Sequence, residues 1–172
     1  RLHGNHDTLE PTIGHYLEAQ TVPELYSKVL ARWERDYKGE TDLVGDALSL
    51  LWAARRGLSE MEWRELLGTN GQPLEQATFI PFLLATESSL VDRSGLLTFA
   101  HDYLREAVRG AYVSTVKYQQ VAHRKLADYF AVQPLTSRHL EERPWQLAEA
   151  GEWRQLAMLL GEAIFFVAAW QV

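Results

Sequence analysis

The sequence predicts a mainly α-helical chain that carries one small β-hairpin and closes in repeat-like α-helical hairpins. Three observations predict it. Apolar residues recur at three- and four-residue spacing along most of the chain, as they do on one-sided helices. Only one stretch, around Arg93-Ser94-Gly95, places two short apolar runs on either side of a Gly-containing turn. Three helical patterns precede that stretch and more follow it.

Residues 1–20 are mixed and His-rich, with a short helix expected around Thr8 to Ala19. Val22, Leu25, Tyr26, Val29, Leu30, Trp33 and Tyr37 then share one helical face, with Glu24, Lys28, Arg32 and Glu34 opposite. Thr21 suits the N-cap and Pro23 the first turn. Lys38-Gly39-Glu40 breaks this helix. A second helix carries Leu43, Val44, Ala47, Leu48, Leu51 and Trp52 on one stripe, and Gly57 is expected to end it in the left-handed conformation. Ser59-Glu60-Met61-Glu62 has capping-box spacing, predicting a short helix to Leu67 with Met61, Trp63 and Leu66 inward.

Gly68-Thr69-Asn70-Gly71 reads as a loop. Residues 74–88 read as helix with Leu74, Phe79, Phe82 and Leu83 buried, and Pro81 predicts a kink or two pieces. The hairpin pairs Leu90-Val91-Asp92 with Leu96-Leu97-Thr98-Phe99. Asp102 to Tyr112 is helical through Leu104, Ala107, Val108 and Ala111, and Thr115 to Phe130 through Val116, Val121, Ala122, Leu126 and Phe130. Residues 131–138 read as a break, Pro144 to Ala150 and Glu152 to Leu160 as short helices joined at Gly151, and Ala163 to Trp170 as a last helix. Three helices followed by a two-stranded wing is the winged form of helix-turn-helix, with its core at residues 41–100.

Composition narrows the function. The 172 residues hold 17 Lys plus Arg against 23 Asp plus Glu, a net charge of −6, with no Cys and 47% apolar residues. Disulfide-stapled and Cys-ligated zinc domains are excluded, as is disorder. The acidic balance argues against a generic nucleic-acid binder. The chain starts at Arg1 with no basic-then-apolar leader, so no signal peptide is expected. The run Ala163 to Trp170 is far short of the ~20 residues that span a bilayer. A piece of a longer polypeptide is the plain expectation.

A DNA-binding winged helix should present basic side chains on its third helix. Here Pro73 to Glu87 holds two Glu, one Gln and no Arg or Lys, and the wing turn offers only Arg93 beside Asp92. Without phosphate contacts the counterion-release contribution is forfeited. No G-x-x-x-x-G-K-[ST], H-E-x-x-H or G-x-S-x-G is present, so no catalytic residue and no metal site are expected. His3 and His6 read as loop histidines, Glu141 and Glu142 as a solvated face, and Trp33, Trp52, Trp63, Trp145 and Trp153 as core. His101-Asp102 stands where the hairpin ends and a helix begins. On spacing alone the pair is a helix cap, and a histidine there can also donate to an anion such as a phosphate.

The run Leu96-Leu97-Thr98-Phe99-Ala100-His101-Asp102-Tyr103-Leu104-Arg105-Glu106-Ala107-Val108 resembles the histidine-aspartate motif that closes the winged helix of STAND-type nucleotide-switch ATPases, the NACHT and NB-ARC proteins. Leu48 to Glu60 looks like the first turn region of that domain in NACHT proteins with tetratricopeptide tails, and Thr21-Val22-Pro23-Glu24-Leu25-Tyr26 like the start of the helical segment before it. Arg143-Pro144-Trp145-Gln146-Leu147-Ala148-Glu149-Ala150-Gly151-Glu152-Trp153 resembles the lead-in to helical repeats in that group, nephrocystin-type proteins included.

The resemblance covers roughly residues 20–160 and implies three parts. Residues 1–40 would be a helical linker after an ATPase core that this chain lacks, 41–130 a winged-helix domain with trailing helices, and 131–172 the start of a tetratricopeptide-like repeat. It implies ATP or ADP bound in the full-length protein and no cofactor in this chain. His101 would contact the ADP β-phosphate and Asp102 would support that loop, holding a closed state that ATP releases to expose an oligomerisation surface. The implied partners are the upstream core, the downstream repeats and other proteins, in the cytoplasm, with neither nucleic acid nor membrane. Walker A, Walker B and sensor residues are not in this chain, so hydrolysis by it is not expected. Two other readings stand beside this one: a DNA-binding winged-helix regulator, and a helical protein-interaction adaptor without a switch.

Overall fold

The computed structural model describes residues 14–39 and 42–170. His3 and His6 lie outside these residues, and of the helix expected around Thr8 to Ala19 only a turn at 14–17 is inside. Helix α1 is Val22–Asp36, with Thr21 Oγ1 accepting from the Glu24 N–H at 3.3 Å and Pro23 in the first turn, as its sequence dictates. Helix α2, Leu43–Ala53, is buried on nearly every side, because α1, α3, α5, α6 and the hairpin all pack on it. Helix α3 is Glu60–Leu67, opened by the complete Ser59–Glu62 capping box. Trp63 and Leu66 point inward, but Met61 is exposed.

Helix α4, Gln76–Thr86, runs through Pro81 as one helix rather than breaking there. Proline removes the rung to Ala77, and packing holds the turn: Phe79 and Phe82 are fully buried against Trp63, whose indole N–H donates to the Ala47 carbonyl at 2.9 Å. Leu74 and Leu83 are only half-buried. Strands β1, Leu90–Arg93, and β2, Leu96–Phe99, pair antiparallel with Leu90 opposite Phe99. Ser94 and Gly95 both have positive φ, 58° and 84°, which is the type I′ turn that suits strand twist.

Leu58 pairs with Leu97 through two backbone bonds of 3.0 and 2.8 Å, adding a short third segment beside β2. This changes the role of Gly57. It does not end α2, whose C-cap is Ala54; its φ is +96°, and a Cβ there would lie 2.1 Å from the Leu97 carbonyl oxygen. Glycine is what lets the two backbones meet.

Helices α5, Asp102–Tyr112, and α6, Val116–Ala131, complete the first core. Val116 and Val121, expected inside α6, are exposed; Ala122, Leu126, Ala127 and Phe130 form its buried row. Helix α7 is Ser137–Glu149, starting seven residues before the expected start at Pro144. A Schellman motif ends it, with Gly151 N–H on Ala148 and Glu152 N–H on Leu147. Helices α8, Trp153–Gly161, and α9, Ala163–Trp170, follow.

Ala127, Leu147, Leu159 and Phe165 make a second, smaller core to which α6, α7, α8 and α9 each contribute one residue. Helix α6 thus belongs to both cores. Of the five tryptophans expected inside, Trp33 and Trp63 are buried and Trp52 is half-buried, while Trp145 and Trp153 are exposed. Large apolar side chains stay exposed on the last three helices, Trp145, Met158 and Ile164 among them. The fold is the mainly α arrangement with one small hairpin and closing helical hairpins that the sequence predicts.

Candidate functional site

Among the described residues, a dense polar network sits where α7 meets the end of α2. Beyond Ala53 the chain leaves the helix and passes beneath α7, so its backbone groups lose water and need partners. Residues Arg138, Glu142 and Gln146 stand four apart on α7, in one row along the helix. They supply the partners. Gln146 Nε2 donates to the Ala53 carbonyl at 3.0 Å and to Glu142 Oε2 at 2.8 Å. Glu142 accepts from the Arg55 N–H at 3.4 Å and the Arg56 N–H at 3.3 Å. Arg138 Nη2 donates to the Gly57 carbonyl at 2.6 Å.

Glu142 is fully buried. The sequence reading of a solvated face is overturned at this residue, and the physical reason is that its four donors are all protein groups. Arg138 closes the set: Nη1 meets Glu142 Oε1 at 2.6 Å and Nε meets Glu62 Oε1 at 2.9 Å. Glu62 also accepts from the Ser59 N–H at 2.8 Å, so the capping box of α3 is tied to α7. Burial opposes the Arg138 charge, but the Glu62 and Glu142 carboxylates outweigh it and hold the guanidinium above its ordinary value.

His123 on α6 ends the network, with Nδ1 2.7 Å from Gln146 Oε1. Because Gln146 Nε2 already serves two acceptors, Oε1 must accept here and His123 carries its proton on Nδ1. Burial pushes His123 below the ordinary histidine value despite that bond. Around the rim Arg56 pairs with Glu141 at 3.1 Å, Arg55 lies 5.4 Å from the Trp145 ring and Arg124 meets Glu152 at 2.6 Å. The whole is a clasp: one face of α7 satisfies the end of α2 and the start of α3.

His101 and Asp102 stand just past the end of β2, where α5 begins. His101 is the N-cap of α5, in extended conformation, and its side chain makes no capping bond; Asp102 is the first helical residue. Both are exposed. Among the described residues, no group of three or more His, Cys, Asp or Glu is placed to hold a metal ion. No helix of the described residues is long and apolar enough to cross a membrane.

Sequence reasoning missed the clasp. The four-residue spacing of Arg138, Glu142 and Gln146 was the available signal, but such a row ordinarily faces water. Nothing local tells that its partners stand more than 70 residues earlier.

No family model matches the chain, and no solved structure matches it. Its relatives are proteins named for tetratricopeptide repeats. A repeat-containing protein of Dictyostelium discoideum is 32% identical over 166 residues, covering 95% of this chain and 10% of the relative. Tetratricopeptide repeat protein 41 is 30% identical in Mus musculus and 29% in Rattus norvegicus, each over 177 residues and 82% of this chain. The chain spans only about a tenth to a seventh of the length of these relatives.

Proposed function

We propose that the chain is a protein-interaction adaptor segment of a larger tetratricopeptide-repeat protein, a helical base that holds closing helical hairpins in a fixed orientation. The clasp carries this reading. Arg138, Glu142 and Gln146 bond backbone that belongs to the first core, while the same helix supplies Leu147 to the second. A repeat array transmits geometry through its first interface, since each unit contacts only its neighbours. The names of the relatives support protein partners. The test is to express the longer polypeptide with Arg138→Ala plus Glu142→Ala and compare the partners it recovers with those of the wild type. Partner loss with unchanged helical content is expected. Equal recovery would sink the reading.

A second reading has its own observation. Helices α2, α3 and α4 followed by the hairpin, with Leu58 pairing to β2, have the order of a winged helix. At its exit, the start of α5 is not closed by a side-chain cap. A histidine beside free helix N–H groups fits an anion, so His101 would reach an ADP β-phosphate and Asp102 would support the loop. The ATP or ADP would sit in an ATPase core elsewhere in the polypeptide, with residues 1–40 as linker, 41–130 as the winged-helix part and 131–172 as the first repeat. His101→Ala in the longer polypeptide would then weaken ADP retention and raise basal activity. Unchanged nucleotide occupancy and oligomeric state would remove this reading.

A further inference from the structure

We infer that the groove between α3, α4 and the hairpin docks a basic, aliphatic segment of a partner protein. The inference deepens the adaptor reading and rests on it. The groove encloses about 600 Å³ and is floored by Leu83, Leu84, Leu90 and Leu97. Leu84 is 59% exposed, a large apolar side chain left open on a helix whose Phe79 and Phe82 are fully buried. Glu60, Glu87 and Asp92 stand on its walls.

Charge decides the occupant. None of these three carboxylates forms an ion pair among the described residues, and no Lys or Arg lines the groove. Arg93 follows Asp92 but is not among the residues that line the groove. Field lines from three carboxylates over a low-dielectric floor concentrate cations at the mouth. A segment with Leu or Val side chains would cover the floor, and its Lys or Arg would meet the walls. The same geometry repels a phosphate backbone, although a winged helix would meet nucleic acid on the face between its third helix and its wing.

The test uses the 172-residue chain and short fluorescein-labelled peptides read by fluorescence anisotropy. An alternating Lys–Leu peptide should bind saturably and lose affinity with added salt. Alternating Lys–Ser and Glu–Leu peptides should not bind. Leu84→Asp, and separately Glu60→Lys with Glu87→Lys and Asp92→Lys, should each weaken the Lys–Leu peptide by about tenfold. All four positions are exposed, but Asp92 also accepts from the Gly95 N–H at 2.7 Å in the hairpin turn, so a melting curve checks the folding of each variant. No Lys–Leu binding, equal binding of Lys–Ser, equal binding by the variants, or preference for duplex DNA would each overturn the groove. None of these results touches the adaptor reading, whose test breaks the clasp and not this surface.

Discussion

Glu142 and Arg138, one turn apart on α7, form a 2.6 Å ion pair whose carboxylate is fully buried. Such a pair is strong only when the remaining lone pairs and protons are also satisfied. Here they are, by the backbone of Arg55, Arg56 and Gly57 and by the side chains of Glu62 and Gln146.

Removing one partner strands the other. Glu142→Ala should therefore destabilise the chain by about 3–5 kcal/mol, and Arg138→Ala by a similar amount. Their double variant should cost clearly less than the sum, because the two act as a unit. Urea unfolding of the four proteins measures this. Additive losses would show that the pair is not coupled.

Acid should weaken the fold through two histidines. His123 and His139 are both held below the ordinary value of 6.5, His123 by burial and His139 by burial together with the Arg143 charge. Each is then neutral in the folded chain at a pH where the unfolded chain is already protonated. Stability is fully present above 6.5 and is lost as pH falls through that value towards the lower folded-state values. His139 packs 6.4 Å from Phe165, and its burial and the Arg143 charge outweigh the nearby Gln133 backbone, which favours the charged ring. His139→Leu should flatten the fall in thermal midpoint between neutral pH and about pH 5. An unchanged pH profile would show that this histidine does not titrate on unfolding.

Two glycines should respond in opposite directions. Gly57→Ala forces a Cβ toward the Leu97 carbonyl at a φ of +96° and should cost more than about 1 kcal/mol. Gly110 lies in α5 with open space where its Cβ would go, so Gly110→Ala should add roughly 0.5–1 kcal/mol. Thermal melts of both variants decide it, and stabilisation by Gly57→Ala would refute the close approach.

What the sequence showed was what is decided locally. The caps at Thr21 and at Ser59 with Glu62 depend on neighbours three residues away, as does the Gly151 N–H at its helix end. The hairpin turn is equally local. Glu142 was not legible, because its burial depends on α7 lying across residues 53–57. The start of α7 was missed for a related reason: Thr136 caps it through the His139 N–H, but Pro144 inside the helix masked the pattern. The tryptophans misled because apolar spacing marks a face and not what covers it; Trp153 is 65% exposed. For the candidate site, His101 was legible as a helix boundary, while its uncapped side chain needed the structure.

The clasp is held to fix α7 and α8 on the first core. Spin labels at the exposed positions Tyr103 on α5 and Met158 on α8 report that directly by pulsed dipolar spectroscopy. One narrow distance distribution is expected, broadening when Arg138 and Glu142 are both replaced by alanine. A distribution already broad in the wild type, or equally narrow without the clasp, would contradict it.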